Sequence, residues 1–294
     1  MRYDVPAAEV TTIAAGGVLG ALCEPENEEQ LAELLRALWQ AGVTYRVLGA
    51  GSNLLIDDRG IAECVIRLGA GFRAMSFVGD ATVRVGAASG LMRVSRNLSA
   101  QGFAGLEFAS GIPASLGGAV RMNAGAHGGQ MADILESVDC IDKAGERFTL
   151  KGTELNFGYR RAELPAGAIV TAACLRLRPG HREDIERKRS ELLAYRKATQ
   201  PLTVPSFGSV FKNPSASRSA GAILDGLGLK GRQIGGAEIS TLHANWIVNP
   251  HRRASVDDVR KLIGECQRLA FERGEGHLEP EVVVWSATTE PPIL

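Results

Sequence analysis

The chain has 294 residues, enough for about two domains at roughly 150 residues each, and its 33 Lys+Arg balance 33 Asp+Glu to a net charge of zero. That balance excludes a whole-chain field drawing it onto nucleic acid or an anionic membrane, and 45% apolar with 22% charged residues excludes disorder and fibrous repeats. Glycine stands out at 35 residues against about 7% in an average protein, so many positions are ones where a side chain would obstruct a turn or a ligand.

MRYDVPAAEV lacks the basic-then-apolar order of a signal peptide, and no stretch approaches the roughly 18 apolar residues of a membrane span. Five scattered cysteines (Cys23, Cys64, Cys140, Cys174, Cys266) without a CxxC pair predict neither zinc site nor disulfide framework. A reducing, cytoplasmic chain is expected. Asn27 and Gln30 predict a capping box ahead of a helix carrying Leu31, Leu34, Leu35 and Leu38 on one face and closed by Gly42. Strands are predicted over 45–48, 64–68 and 82–85, and a helix with Leu91, Val94 and Leu98 ends near Gly102. The glycine-rich, nearly uncharged stretch 105–130 is too apolar for a linker and too rich in Gly and Pro for one regular element; an ordered, buried loop is expected. Strands follow at VDCI, RFTL and IVTAACLRL. Residues 181–198 read as a solvated helix joining two domains. The last part contains a short helix over 220–227, a helix over 255–273 with Val259, Leu262, Ile263 and Cys266 on one face, and a final strand, EPEVVVW.

Two glycine loops carry the chemistry. GAGSNLL at 49–55 begins like a dinucleotide fingerprint, but Leu54 occupies the third glycine position, so alone it reads mostly as a plain turn and is weak evidence for a Rossmann site. Its backbone N–H groups beside Ser52 and Asn53 suit a phosphate nest. In the second loop Gly111, Pro113, Ser115, Gly117, Gly118 and Gly125 leave backbone donors unobstructed, so the pair could grip both ends of a large anionic cofactor. Neither has the G-K-[ST] ending of a P-loop, which argues against ATP or GTP.

GAGSNLL, GLEFASGIPASLGGAVRMNAGAHG, FGYR, GSVFKNP, IGGAEISTLHANWIVN and LEPEV, in that order, resemble the UDP-N-acetylenolpyruvoylglucosamine reductase family, flavoenzymes that complete UDP-N-acetylmuramate for peptidoglycan. The resemblance spans roughly residues 10 to 285, and the short interval between FGYR and GSVFKNP is similar to the shorter form of the family. It implies an α+β protein: an FAD-binding portion of the vanillyl-alcohol-oxidase (PCMH) type in two α+β subdomains (1–72 and 73–180), a connecting helix (181–199) and an α+β substrate domain (200–294). It implies noncovalent FAD held by Gly49, Ala50, Gly51, Ser52, Asn53, Leu54, Ser110, Gly111, Ile112, Pro113, Ser115, Gly117, Gly118, Ala119, Asn123, Gly125 and Ile169, with NADPH as hydride donor. The preference for NADPH over NADH comes from the resemblance alone. A UDP-sugar substrate is expected, with no nucleic-acid, membrane or metal partner; a monomer is expected. VTTIAAGG matches the family's opening only loosely, Arg121 and His127 stand where many members have aromatics, and Phe207 replaces a small residue. These departures bear on local pocket shape.

Reduction of an enolpyruvyl ether needs hydride at the terminal carbon, stabilisation of charge spreading into the carboxylate, and a proton for the ether-bearing carbon. A guanidinium fork suits the carboxylate; the residues alone leave Arg160 and Arg161 open, and the resemblance implies Arg160. A hydroxyl on a rigid turn suits the proton donor, and the resemblance implies Ser209. It implies Glu281, rather than Glu279, as the acid aiding Arg160, on a strand with Val282 to Trp285. Tyr159, Lys197, Lys212, Asn213 and His243 are the implied substrate contacts, the lysines for the diphosphate. Two other readings predict different chemistry: a flavin-dependent sugar or alcohol oxidase needs neither Ser209 nor Arg160, and a non-catalytic nucleotide-sugar-binding regulator has no use for a placed proton donor.

Overall fold

A computed structural model describes residues 1–215 and 217–286. Two compact units emerge: Met1, Leu22–Ala50 and Glu63–Tyr195 form one; Arg2–Ala21, Gly51–Ala62 and the described residues from Arg196 onward form the other. Segments 2–21 and 51–62 thus cluster with the C-terminal part, although the sequence reading set them within 1–72.

The first unit is built on a five-stranded sheet in the order Arg147–Lys151, Leu135–Ile141, Ile169–Arg176, Thr82–Gly86, Met75–Phe77, every neighbour antiparallel. Val83 and Val85 alternate with half-buried partners, and both are fully buried, the period-two pattern of a strand with one face in the core. Helix Leu91–Ala100 places Leu91, Val94 and Leu98 in the same cluster as Val83, Val138 and Leu175, and Gly102 takes a φ of 80° just beyond its end, where a left-handed residue terminates the helix without a Cβ penalty. The expected helix after Asn27 runs Glu28–Gln40; Leu31 and Leu35 are fully buried, each worth roughly 1.5–3 kcal/mol of burial. Its cap differs from expectation. Asn27 Oδ1 accepts from the Gln30 N–H at 2.9 Å, but Gln30 Oε1 accepts from the Glu26 N–H, not that of Asn27, so the N-terminus is capped from one side and braced one residue further back.

The second unit carries a four-stranded antiparallel sheet, Ser206–Ser209, Trp246–Val248, Ala237–Ile239, Gln233–Ile234. Helix Val256–Glu272 starts at a full capping box between Ser255 and Asp258 and buries Val259, Leu262, Ile263 and Cys266, which pack with Phe207, Phe211, Ile239 and Ile247. Leu54–Ile56 pairs in parallel with Val283–Trp285. The final strand is shorter than expected: Glu281 precedes it, because its N–H donates to Val210 O at 2.8 Å instead. The loose VTTIAAGG segment is firmly held. The wholly buried Asn249 amide donates to Ile13 O and Ala14 O, while its Oδ1 accepts from the Arg253 and Ala254 N–H groups.

Helix Arg182–Thr199 is largely exposed, with Ile185 and Arg196 buried along it. All five cysteines are free thiols, and burial pushes Cys64, Cys140 and Cys266 up to about 12, so they behave as small hydrophobes. Among the described residues no helix is long and apolar enough to cross a membrane.

Candidate active site

In the first unit the 105–130 stretch is an ordered loop that contains a short helix, Leu116–Arg121, missed by the sequence reading because Gly117 and Gly118 argue against helix. Ser115 makes it possible: its Oγ accepts from the Gly118 N–H at 3.2 Å, satisfying a donor left open at the N-terminus. Several loop N–H groups serve the fold: Leu116 bonds Ser89 O and Gly117 bonds Ala87 O, both at 2.9 Å. A Cβ on Gly117 would press on the Ala87 methyl at 3.1 Å. Gly49 is the point where the first loop touches the second; a Cβ there would lie 2.6 Å from Ser115 Oγ. Ala50 and Pro113 are exposed, Ile112 is half-buried and Ala119 is fully buried. Gly111 has a φ of 81°. The side chain of Ile169 is buried among Cys23, Leu31 and Ile141.

The same loop sets the FGYR segment. Asn123, almost fully buried at a φ of 41°, donates to Gly158 O at 3.1 Å and to Gln130 Oε1, and its Oδ1 accepts from the Ala132 N–H. Gly158 and Arg161 exchange backbone hydrogen bonds, closing a tight turn whose apex holds Arg160 at a φ of 57°. A non-glycine residue there is uncommon and costs energy unless its surroundings impose it. The Arg160 guanidinium donates to Gly125 O at 3.1 Å and lies 5.3 Å from the Tyr159 ring, which is itself exposed. Arg161 instead pairs with Glu163 at the surface. His127 and Gly128 both have positive φ at the tip of the Gly125–Ala126/Gly129–Gln130 hairpin, and the His127 ring meets Tyr195 edge-on at 5.6 Å. Arg121 is exposed and reaches Ala162 O.

In the second unit three quoted motifs converge. Ser209 ends its strand at a bulge: Ser206 pairs with Val248 and Ser209 with Trp246, so that Phe207 and Gly208 together face Ile247 alone. Gly208 takes a φ of 85° there, the extra-residue geometry that re-aims the following side chain. Phe207 is 1% exposed, a core residue. Beyond the bulge, the Val210 N–H bonds Asn245 O at 2.9 Å, the Phe211 N–H bonds Asn245 Oδ1 and the Asn245 amide returns to Phe211 O. Residues 210–212 run against 279–281 through Glu281 N–H to Val210 O and Lys212 N–H to Glu279 O. Asn53 joins them: its amide donates to Glu281 O at 3.0 Å, and the Val283 N–H donates to Asn53 O. Ser209 and Glu281 therefore occupy neighbouring backbones, and Arg160 belongs to the other unit. Thr12 Oγ1 ties Gly51 O and Ser206 O. Ser52 is half-buried and Leu54 buried within its strand.

Of the implied substrate contacts, Lys197 is exposed on its helix, and Lys212 pairs with Glu279. Asn213 Oδ1 accepts from the Ala220 N–H at the start of helix Ala220–Gly226. His243 Nδ1 accepts from the Asn245 N–H at 3.1 Å; burial, then the Lys230 charge, holds its pKa below the ordinary value, so the neutral imidazole predominates. Asn245 and Asn249 were not singled out as structural anchors from sequence; the available signal was two asparagines inside the apolar run HANWIVN.

Residues 20–151 match the family model described as FAD binding domain, and residues 200–285 match UDP-N-acetylenolpyruvoylglucosamine reductase, C-terminal domain. Two observations fit the cofactor to the first unit: Ser110 Oγ is buried without a hydrogen-bond partner, and a Cβ on Gly118 would meet, outside its own helix, only Ser115 Oγ within 4 Å. The chain is a flavoprotein oxidoreductase with FAD as its cofactor, on an α+β fold of the vanillyl-alcohol-oxidase type. UDP-N-acetylenolpyruvoylglucosamine reductase of Synechococcus sp. (strain JA-3-3Ab) is 40% identical to it over 99% of this chain and 93% of the relative. The enzyme of that name from Heliobacterium modesticaldum is 44% identical over 95% of this chain and 88% of its own length. The crystal structure of UDP-N-acetylenolpyruvylglucosamine reductase from Thermus caldophilus matches with a TM-score of 0.83 at 39% identity, covering 96% of this chain and 97% of that one. The chain belongs to the UDP-N-acetylenolpyruvoylglucosamine reductase family.

Proposed function

We propose that the protein reduces UDP-N-acetylglucosamine enolpyruvate to UDP-N-acetylmuramate with NADPH, as a cytoplasmic monomer in peptidoglycan precursor synthesis. Noncovalently bound FAD would supply the two-electron redox chemistry that links NADPH to the enolpyruvyl group. The glycine loops at 49–54 and 110–125 hold it, with Ser110 Oγ and the Ser115-capped turn as polar contacts.

Arg160 receives the substrate carboxylate. Its guanidinium is anchored on Gly125 O, so the fork is oriented before substrate arrives, which is how electrostatic stabilisation avoids reorganisation during the reaction. Glu281 assists in stabilising the enolate. Ser209 gives its hydroxyl proton to the ether-bearing carbon, and Lys197, Lys212, Asn213, Tyr159 and His243 contact the UDP-sugar. The observation that carries this reading is the clamp beneath Ser209: a bulge at Gly208 followed by two side-chain and one backbone bond to Asn245. Such rigidity suits a proton donor that must be placed to within a fraction of an ångström.

The test is anaerobic. NADPH should bleach the flavin absorbance of the purified protein, and the enolpyruvyl UDP-sugar should restore it with formation of UDP-N-acetylmuramate. Reoxidation by oxygen in place of the UDP-sugar indicates the oxidase reading, and a protein that binds nucleotide sugar without either step indicates the regulator.

A further inference from the structure

Trp246 is 4% exposed, and its indole N–H is buried without a hydrogen-bond partner. Leaving such a donor unmet is unfavourable, so the position calls for an acceptor that the described residues do not supply. Its place in the sheet says where that acceptor lies. Trp246 is the register partner of Ser209, and the Val210 N–H bond to Asn245 O makes the two a non-hydrogen-bonded pair, whose Cα atoms sit about 4.5 Å apart with both side chains on one face. The neighbouring Ile247 packs in the apolar cluster with Phe207 and Val259, so alternation turns Trp246 and Ser209 to the opposite face. The imidazole of His243 borders the indole at 6.3 Å between centroids.

We propose that the Trp246 indole N–H is a substrate-binding group: it donates to an oxygen of the UDP-sugar substrate on the face that carries Ser209. The proposal rests on the function given above. An oxygen acceptor has two sources, the substrate or a buried water, and the experiment separates them.

The enzyme labelled with 15N is titrated with UDP-N-acetylmuramate, which binds without turnover. Three tryptophans give three indole resonances, assigned from Trp39→Phe, Trp285→Phe and Trp246→Phe, so that elimination suffices if one variant fails to fold. The Trp246 resonance is expected to move downfield on saturation while that of exposed Trp39 stays. Trp246→Phe should raise KM for the enolpyruvyl substrate about 2- to 10-fold, the worth of one net hydrogen bond. Its Tm should hold or rise, because an unmet buried donor is removed; a merely structural tryptophan would give a fall. If the product perturbs the flavin spectrum while the Trp246 resonance and KM stay unchanged, the acceptor is a trapped water and the proposal is overturned alone. If the product perturbs neither flavin nor indole, the proposed function is overturned with it.

Discussion

Phe211 and Asn245 are bound to each other like two residues of a β-ladder, except that one half of the ladder is a side chain. The Phe211 N–H donates to Asn245 Oδ1 and the Asn245 amide donates to Phe211 O, both at 2.9 Å, and both residues are buried. Asn245→Ala would remove two bonds and strand a buried N–H and a buried C=O. A loss of about 2–4 kcal/mol is expected, read by urea unfolding. Stability within about 0.5 kcal/mol of wild type would show that this pair does not hold the strand end.

The glycines of the two loops separate by what a side chain would meet. Gly51 has a φ of 65° and its added Cβ would fall on Val10 O, so Gly51→Ala should destabilise the fold whatever happens to cofactor. A side chain on Gly118 meets little besides the end of Ser115. Gly118→Val should therefore fold, since valine is a better helix former than glycine, yet lose FAD, because the side chain enters the space assigned to it. Equilibrium dialysis against FAD decides; unaltered affinity would mean the cofactor lies elsewhere.

Much of this was legible in sequence, for identifiable reasons. The helix at Glu28–Gln40 and that at Val256–Glu272 announce themselves by polar caps and a sustained 3.6 period. The strand Val83–Val85 is equally plain from alternation. Helix Leu116–Arg121 was hidden because six residues containing two glycines carry a helix only where a Ser115 cap and buried Leu116, Ala119 and Val120 impose it. Glu281 was misplaced onto a strand because EVVVW reads as one β run, whereas the strand begins only at Val283. Asn245 and Asn249 act through partners 34 and 236 residues away, a separation that no local pattern encodes.

Acid should find Asp57. Hydrogen bonds from the Arg59 guanidinium and then its N–H, aided by the Arg260 charge, outweigh burial and hold this carboxyl at about 2 against an ordinary 3.8. A folded-state pKa below the unfolded value means that the unfolded chain takes up its proton first as pH falls. The stabilisation is thus complete above about pH 4 and lost between there and about pH 2. Arg59 is 65% exposed, so solvent screening reduces the contribution to about 1 kcal/mol. Asp57→Asn should lower stability at pH 7 and flatten that acid limb in pH-dependent unfolding. An acid limb of unchanged steepness would show that Asp57 does not titrate there.

Ser209→Ala tests the proton donor directly. The hydroxyl is not part of the apolar cluster that holds Phe207, Val210 and Phe211, and the backbone bonds of Val210 and Phe211 to Asn245 do not involve it. The variant should therefore fold, retain FAD and be reduced by NADPH at close to the wild-type rate. Proton delivery comes only in the second half-reaction, and loss of a positioned general acid is worth about 100- to 10,000-fold. Stopped-flow reoxidation by the enolpyruvyl substrate should slow by that factor. Ser209→Cys should recover part of the rate, since a thiol also donates. Should Ser209→Ala reoxidise at the wild-type rate, the serine serves only its strand bulge; the donor is then sought first at Glu281, whose N–H is bonded to the carbonyl of Val210, one residue beyond Ser209.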